Sequence, residues 1–190
     1  MKLGKARAPW ISIANQRVLV RLCFNHNLGE GETSMTRTAE CACGAFKVKV
    51  EGEPLAVGAC SCTQCQKRTG SVVGVGAYFP EASVQTVSGS FNTFVRPGDA
   101  GTKWSIYFCP TCGSSVFWEG PFFPDIRGVA VGCFADPSFP PPQVAVFTQN
   151  QHSWVTFPTG AMLHATQPTQ TEAIALMAGL STPRSRAPNR

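Results

Sequence analysis

Seven of the nine cysteines in this 190-residue chain fall into three short clusters. Cys41-Ala42-Cys43-Gly44 comes first, then Cys60-Ser61-Cys62-Thr63-Gln64-Cys65, then Cys109-Pro110-Thr111-Cys112-Gly113. Thiolates one or two residues apart can converge on a single tetrahedral ion, so the spacing points to zinc. Seven ligands divide into a closed site of four and a site of three with a coordination position open. Closed sites hold folds together, and open sites admit a substrate.

Cys109-Pro110-Thr111-Cys112-Gly113 has the form of a zinc knuckle. Its proline stiffens the turn, and its glycine lets backbone N–H groups turn back toward the sulfurs and stabilise their charge. A redox C-x-x-C would need a following helix in a βαβ unit, whereas Gly113–Trp118 reads as strand. Cys41-x-Cys43 says less alone, but two such pairs on neighbouring strand ends make a four-cysteine site. Cys60-x-Cys62-x-x-Cys65 has two readings. Either Cys60 or Cys62 is a small buried residue while the others share an ion with the rest, or the three form an open zinc site. Three thiolates make zinc a weak Lewis acid suited to a soft exogenous ligand such as another thiol. Binding would deprotonate that thiol and produce a nucleophile at neutral pH.

The remaining candidates carry less. Cys133 lies in the apolar run Val129–Phe134 and reads as core, and Cys23 and His26 precede the patterned sequence. His152 and His164 read as surface histidines rather than ligands.

Strands must position these clusters. Phe46, Val48 and Val50 alternate with Lys47, Lys49 and Glu51, giving one buried and one wet face. Further strands are expected at Val72–Phe79, Val84–Val87, Phe91–Val95, Lys103–Cys109, Ser115–Trp118, Arg127–Phe134 and Val144–Thr148. Gly74 and Gly76 mark a close approach of backbones, and Arg96–Gly101 is turn chemistry. The one expected helix is Thr171–Leu180, capped by Thr169 or Thr171. The fold class is therefore mainly β, with mostly antiparallel strands, ligands in turns and a short C-terminal helix. Residues 1–35 are expected to be a disordered or spurious extension, 36–168 the zinc domain, and 169–190 the helix and a disordered basic tail.

The net charge of +5 is carried by the two ends. Residues 1–34 and 182–190 each carry +3, leaving −1 on the body between them. A near-neutral body argues against a duplex-binding face. No apolar run approaches the ~20 residues of a membrane span. The start of the chain does not form a secretory signal, so a reducing, cytoplasmic setting is expected.

The order C-x-C-G, C-x-C-x-x-C, C-P-x-C-G resembles the glutathione-dependent formaldehyde-activating enzyme family, which includes centromere protein V-like domains. Cys65-Gln66-Lys67-Arg68-Thr69-Gly70, Phe108–Ser114 and Val144–Trp154 extend the likeness to about residues 38–165. The resemblance implies a β-tent of packed antiparallel sheets. It implies a structural zinc on Cys41, Cys43, Cys109 and Cys112 and a labile one on Cys60, Cys62 and Cys65, two ions per chain. It also implies carbon–sulfur lyase chemistry, the reversible addition of glutathione to formaldehyde. Glutathione's carboxylates call for cations. Lys67 and Arg68 are best placed, with Arg96, Lys103 and Arg127 as further candidates by type. Asp99 and Thr102 can line the same cleft, and Thr63, Thr69 and Ser71 can steady an oxyanion. The competing reading is a non-catalytic zinc-stabilised module that binds a protein or nucleic acid.

Overall fold

Alternating apolar residues set two sheets face to face, with the residues of one face of each forming a shared core. The structure, a computed structural model, describes residues 35–98 and 102–179, all within the unit Thr33–Arg190. The expectations for residues 1–34, Asp99 and the tail from 180 lie outside the described residues.

The smaller sheet has the order β1-β2-β5, where β1 is Thr36–Glu40, β2 Lys47–Glu51 and β5 Val84–Ser88. The larger contains β3 (Ala56–Cys60), β4 (Gly74–Pro80), β6 (Asn92–Pro97), β7 (Lys103–Phe108), β8 (Ser115–Glu119), β9 (Ile126–Ala130), β10 (Val144–Val146) and β11 (Met162–Leu163). Its order is β11-β10-β3-β4-β9-β8-β7-β6. Val48 and Val50 from the small sheet and Val57, Ala77, Phe79 and Val129 from the large one are all fully buried. Phe46, also fully buried, packs 6.1 Å from the Phe117 ring. Each of these valine and phenylalanine side chains contributes about 1.5–3 kcal/mol on burial.

The mainly β class stands, but β1, β3 and β11 were not expected from the pattern, and further details differ. β10 runs parallel to both β3 and β11. Parallel pairing needs long connections: residues 61–143, which include β4–β9, join β3 to β10, and the loop 147–161 joins β10 to β11. The strand expected at Arg127–Phe134 ends at Ala130, and Val131–Phe134 winds into a 3-10 turn. The strand expected to reach Thr148 ends at Val146, because Phe147 takes a left-handed φ of 55°. A helix, α1 (Thr63–Thr69), occupies the second cysteine cluster. Cys62 caps it in place of the usual hydroxyl or amide, and Gly70 closes it at φ 67°. α2 spans Gln170–Met177 and starts at a capping box between Thr169 and Glu172. No helix among the described residues is long and apolar enough to cross a membrane.

Candidate metal centres and the cavity beside them

The first and third cysteine clusters meet. Cys41 and Cys43 sit in the turn after β1, and Cys109 and Cys112 in the turn after β7. Left-handed Gly44 and Gly113 let each turn fold back, with Gly44 N–H donating to the Cys41 carbonyl (2.8 Å) and Gly113 N–H to that of Cys109 (2.9 Å). The four sulfurs lie within 4.8 Å of one another. Cys41 and Cys43 sulfurs are 3.5 Å apart, and Cys43 and Cys109 sulfurs 3.7 Å. Tetrahedral zinc with bonds of about 2.3 Å places its sulfurs about 3.8 Å apart, so the donor set fits that ion. Phe46 N–H donates to the Cys41 sulfur at 3.2 Å. Ser114 is a clasp, its hydroxyl 3.3 Å from the Cys112 sulfur while accepting from Ala42 N–H at 3.1 Å. The strands involved belong to different sheets, so this cluster joins the sheets rather than neighbouring strands of one.

Cys60 ends β3, Cys62 caps α1, and Cys65 lies in the first turn of α1. Their sulfurs also fall within 4.8 Å of one another, and Cys65 N–H donates to the Cys62 sulfur at 3.3 Å. Gln66 ties the loop down, donating to the carbonyls of Ser61 (2.8 Å) and Asn150 (3.2 Å). β10 braces the same corner through Ser61 N–H to the Val146 carbonyl, 3.1 Å.

Crowded sulfurs cannot all ionise unaided. Hydrogen bonds from Cys60 and then Cys65 pull Cys62 down to about 2. Contacts with Cys62 and then Cys65 push Cys60 far up. In the other cluster the Ser114 hydroxyl and N–H groups lower Cys112 to about 5. Cys43 receives a backbone hydrogen bond at Ala45, yet crowding by the Cys41 and Cys112 sulfurs takes it up to about 12. Like charges so close need a cation between them, and both clusters can hold a metal ion.

The two clusters differ in surroundings. Cys60, Cys62 and Cys65 line a cavity of about 620 Å3. Its floor is one face of the large sheet, from β3 and β4 to β7 and β8, and Leu176 and Met177 of α2 form part of its wall. Trp118 lies across β4 and β9, where a Cβ at Gly76 or Gly128 would approach the indole to 2.5 Å or 2.3 Å. These glycines thus accommodate a side chain, where a close backbone approach was expected of Gly76. Arg68 stacks its guanidinium 4.7 Å above the Trp118 ring.

The expected substrate contacts separate on this frame. Arg68 is half-buried and lines the cavity, whereas Lys67 is exposed and does not. Arg96 and Thr102 line it from the far side. Lys103 and Arg127 line a different hollow of about 380 Å3, where Arg127 pairs with Glu81 at 2.8 Å and Glu119 at 3.5 Å. Thr63 lines the cavity. Thr69 gives its hydroxyl to the Cys65 carbonyl at 2.9 Å, and Ser71 is exposed outside the lining. His164 lines the cavity, while His152 is exposed, with its ring 5.8 Å from that of Trp154. Cys133 is half-buried against the core, with its sulfur 3.6 Å from the Ser115 carbonyl. Sequence reasoning missed Trp104, Trp118, Phe147 and the α2 wall. The glycines at Gly76 and Gly128 were the local signal that a large side chain lay over them.

The profile of the glutathione-dependent formaldehyde-activating enzyme family matches residues 36–150. No curated protein matches the chain. A crystal structure of a Rhodobacter sphaeroides protein aligns at 24% identity over 53% of this chain and 91% of that one, with a TM-score of 0.43. The profile match runs from β1 to the turn after β10 and takes in all seven clustered cysteines. This chain belongs to the glutathione-dependent formaldehyde-activating enzyme family.

Proposed function

We propose that this protein is a zinc-dependent carbon–sulfur lyase that reversibly adds a glutathione-like thiol to a small aldehyde such as formaldehyde. One observation carries the reading: three cysteine sulfurs converge within 4.8 Å of one another on the wall of a cavity, one ligand short of a tetrahedron. Family membership supports a glutathione-related enzyme. In this reading the chain carries two zinc ions. Cys41, Cys43, Cys109 and Cys112 hold one as a staple between the sheets, and Cys60, Cys62 and Cys65 hold the other.

Zinc bound at the second cluster would supply the positive charge that keeps an incoming thiol deprotonated. The chain's own groups do the rest. Cys62 and Cys65 are held in place by α1 and by the Gln66 bridge to Ser61 and Asn150. Arg68, one turn beyond Cys65 on α1, offers a fixed fork to a substrate carboxylate. A Cβ at Gly74 would lie 3.4 Å from Arg68 Nη2 and 3.5 Å from Cys65 Cβ, so both side chains face one position on β4. Trp104, Trp118, Phe122 and Phe123 in the cavity lining give an apolar surround that strengthens electrostatic contacts to a bound thiolate. Lys67, exposed, contributes little. Free thiols in this number suit a reducing compartment such as the cytoplasm.

The test is exchange NMR on zinc-loaded protein with formaldehyde and glutathione. The protein should accelerate exchange between free and adduct signals, and Cys62→Ser should abolish the acceleration. Exchange at the uncatalysed rate with both ions bound would overturn the reading.

A further inference from the structure

The cavity beside Cys60, Cys62 and Cys65 has room for far more than a one-carbon aldehyde. Its about 620 Å3 lies within the range of about 300–1,000 Å3 that takes drug-sized ligands. A one-carbon aldehyde occupies only a small part of it. Glutathione is a chain of amides and charges, and such groups need partners once desolvated. Gln64, Gln149 and Asn150 in the lining offer such partners, while Trp104, Trp118, Phe122, Phe123, Leu176 and Met177 supply apolar surface that a peptide thiol does not need.

Among the described residues, Arg68 and Arg96 are the lysine or arginine side chains in the lining, with Glu172 its one carboxylate, and each guanidinium lies over an indole. Arg68 lies 4.7 Å above Trp118, and Arg96 lies 5.9 Å from the centre of Trp104. Both tryptophans are seated on glycines. A Cβ at Gly98 or Gly120 would come within 2.8 Å or 2.6 Å of the Trp104 ring, as one at Gly76 or Gly128 would crowd Trp118. Phe147, also in the lining, is held at φ 55°, a strained conformation for an aromatic residue. Strain of this kind concentrates at ligand clamps. Rigid aromatic faces beside two cations make a receptor for an anion that carries a flat or extended apolar body.

We infer that this site takes the adduct of an anionic thiol with an aromatic or extended apolar aldehyde. The inference rests on the thiol–aldehyde reading above and names its aldehyde class. The three-cysteine end takes the sulfur, an arginine takes a carboxylate of the thiol, and the tryptophan wall takes the carbon body of the aldehyde. The step balances without an oxidant or reductant. A carbon–sulfur bond forms between thiolate and carbonyl carbon, the carbonyl π pair moves to oxygen, and that oxygen takes up the proton the thiol released. The reverse step returns thiol and aldehyde.

Two probes isolate the aromatic contribution, because S-methylglutathione and S-benzylglutathione share one anionic peptide and differ by a phenyl ring. Calorimetric titration of the zinc-loaded full chain should find the benzyl compound bound at least tenfold more tightly. Trp104→Ala should erase that preference, and Leu176→Ser should weaken it through the opposite wall even if Trp104→Ala does not fold. Equal affinity for the two probes would overturn the inference. Exchange NMR with glutathione and either formaldehyde or benzaldehyde separates this outcome from failure of the lyase reading. Acceleration with formaldehyde alone, alongside equal probe affinities, leaves the lyase standing and removes the aromatic substrate. A benzyl preference without acceleration of either aldehyde removes the lyase reading, and the adduct with it.

Discussion

The sulfur of Cys43 lies 3.7 Å from that of Cys109, across 66 residues of chain and from one sheet to the other. Burial of apolar side chains holds the sheet faces together, but it is not directional. This contact fixes where the end of β1 sits relative to the end of β7. With Cys41 and Cys112 it makes a closed set of four donors. The cluster at Cys60, Cys62 and Cys65 lies within the large sheet and α1, so it joins nothing that the fold does not already join.

The two clusters should therefore respond differently to loss of one ligand. Cys112→Ser should remove the ion of the four-cysteine site and unfold the domain at ordinary temperature, releasing the second ion as well. A structural zinc supplies an apparent ~10–16 kcal/mol in small domains, comparable to a whole domain's net stability of ~5–15 kcal/mol. Cys62→Ser should remove one zinc but leave the melting temperature within a few degrees. Metal analysis and thermal unfolding check both, and equal loss of stability in the two variants would contradict the division of labour.

Metal release should be biphasic. Ligating thiolates must stay deprotonated, so protons compete with the ion and occupancy falls as pH falls. The three-cysteine cluster, with fewer donors and an open cavity beside it, should empty at higher pH and at lower chelator concentration than the four-cysteine cluster. A colorimetric chelator followed through an acid titration reads this directly. A single phase releasing both ions would contradict it.

Arg68→Gln should raise the KM for glutathione with the zinc count unchanged. A charge-assisted hydrogen bond is worth about 1.5–3 kcal/mol, which corresponds to a loss of about 10- to 150-fold. Lys67→Gln, on the exposed face of the same helix, should stay within about twofold. Steady-state kinetics on both variants decides between two adjacent cations that look alike in the sequence.

Gly76→Ala should destabilise the protein by about 1–3 kcal/mol through overpacking. The added methyl would sit 2.5 Å from Trp118 Cζ2 and 2.7 Å from Cη2, and the indole is itself buried. Gly132→Ala is the matched control, since nothing lies within 4 Å of a Cβ there. Chemical denaturation of the pair measures the difference, and indistinguishable midpoints would mean that the indole can move aside.

Two periodicities made much of this protein legible without its fold. Metal-ligand spacing and strand alternation are properties of a few adjacent residues. They sufficed to mark three cysteine clusters as metal-ligand motifs and to locate the strand around Val48 and Val50 and those before and after the knuckle. The family resemblance pointed to the grouping into four and three that the sulfurs adopt. Thr169, one of two cap candidates in the sequence, marked the start of α2 in the same local way.

Tertiary structure decided what depends on distant neighbours. α1 was hidden because its seven residues are too few to show a helical period, and its cap is a cysteine that also reads as a ligand. The parallel partners of β10 depend on which edge a long connection reaches, which local pattern does not encode. Lys67 and Arg68 are adjacent and of one charge, and only the placement of Trp118 on its glycines turns Arg68 toward the cavity and leaves Lys67 in solvent. The cysteines within each cluster could be paired from the sequence because short turns hold them together, whereas the meeting of Cys41 and Cys43 with Cys109 and Cys112 spans 66 residues, from Cys43 to Cys109, and two sheets. The cavity could not be read from the sequence either, because its walls come from strands and a helix that meet only when the sheet is assembled.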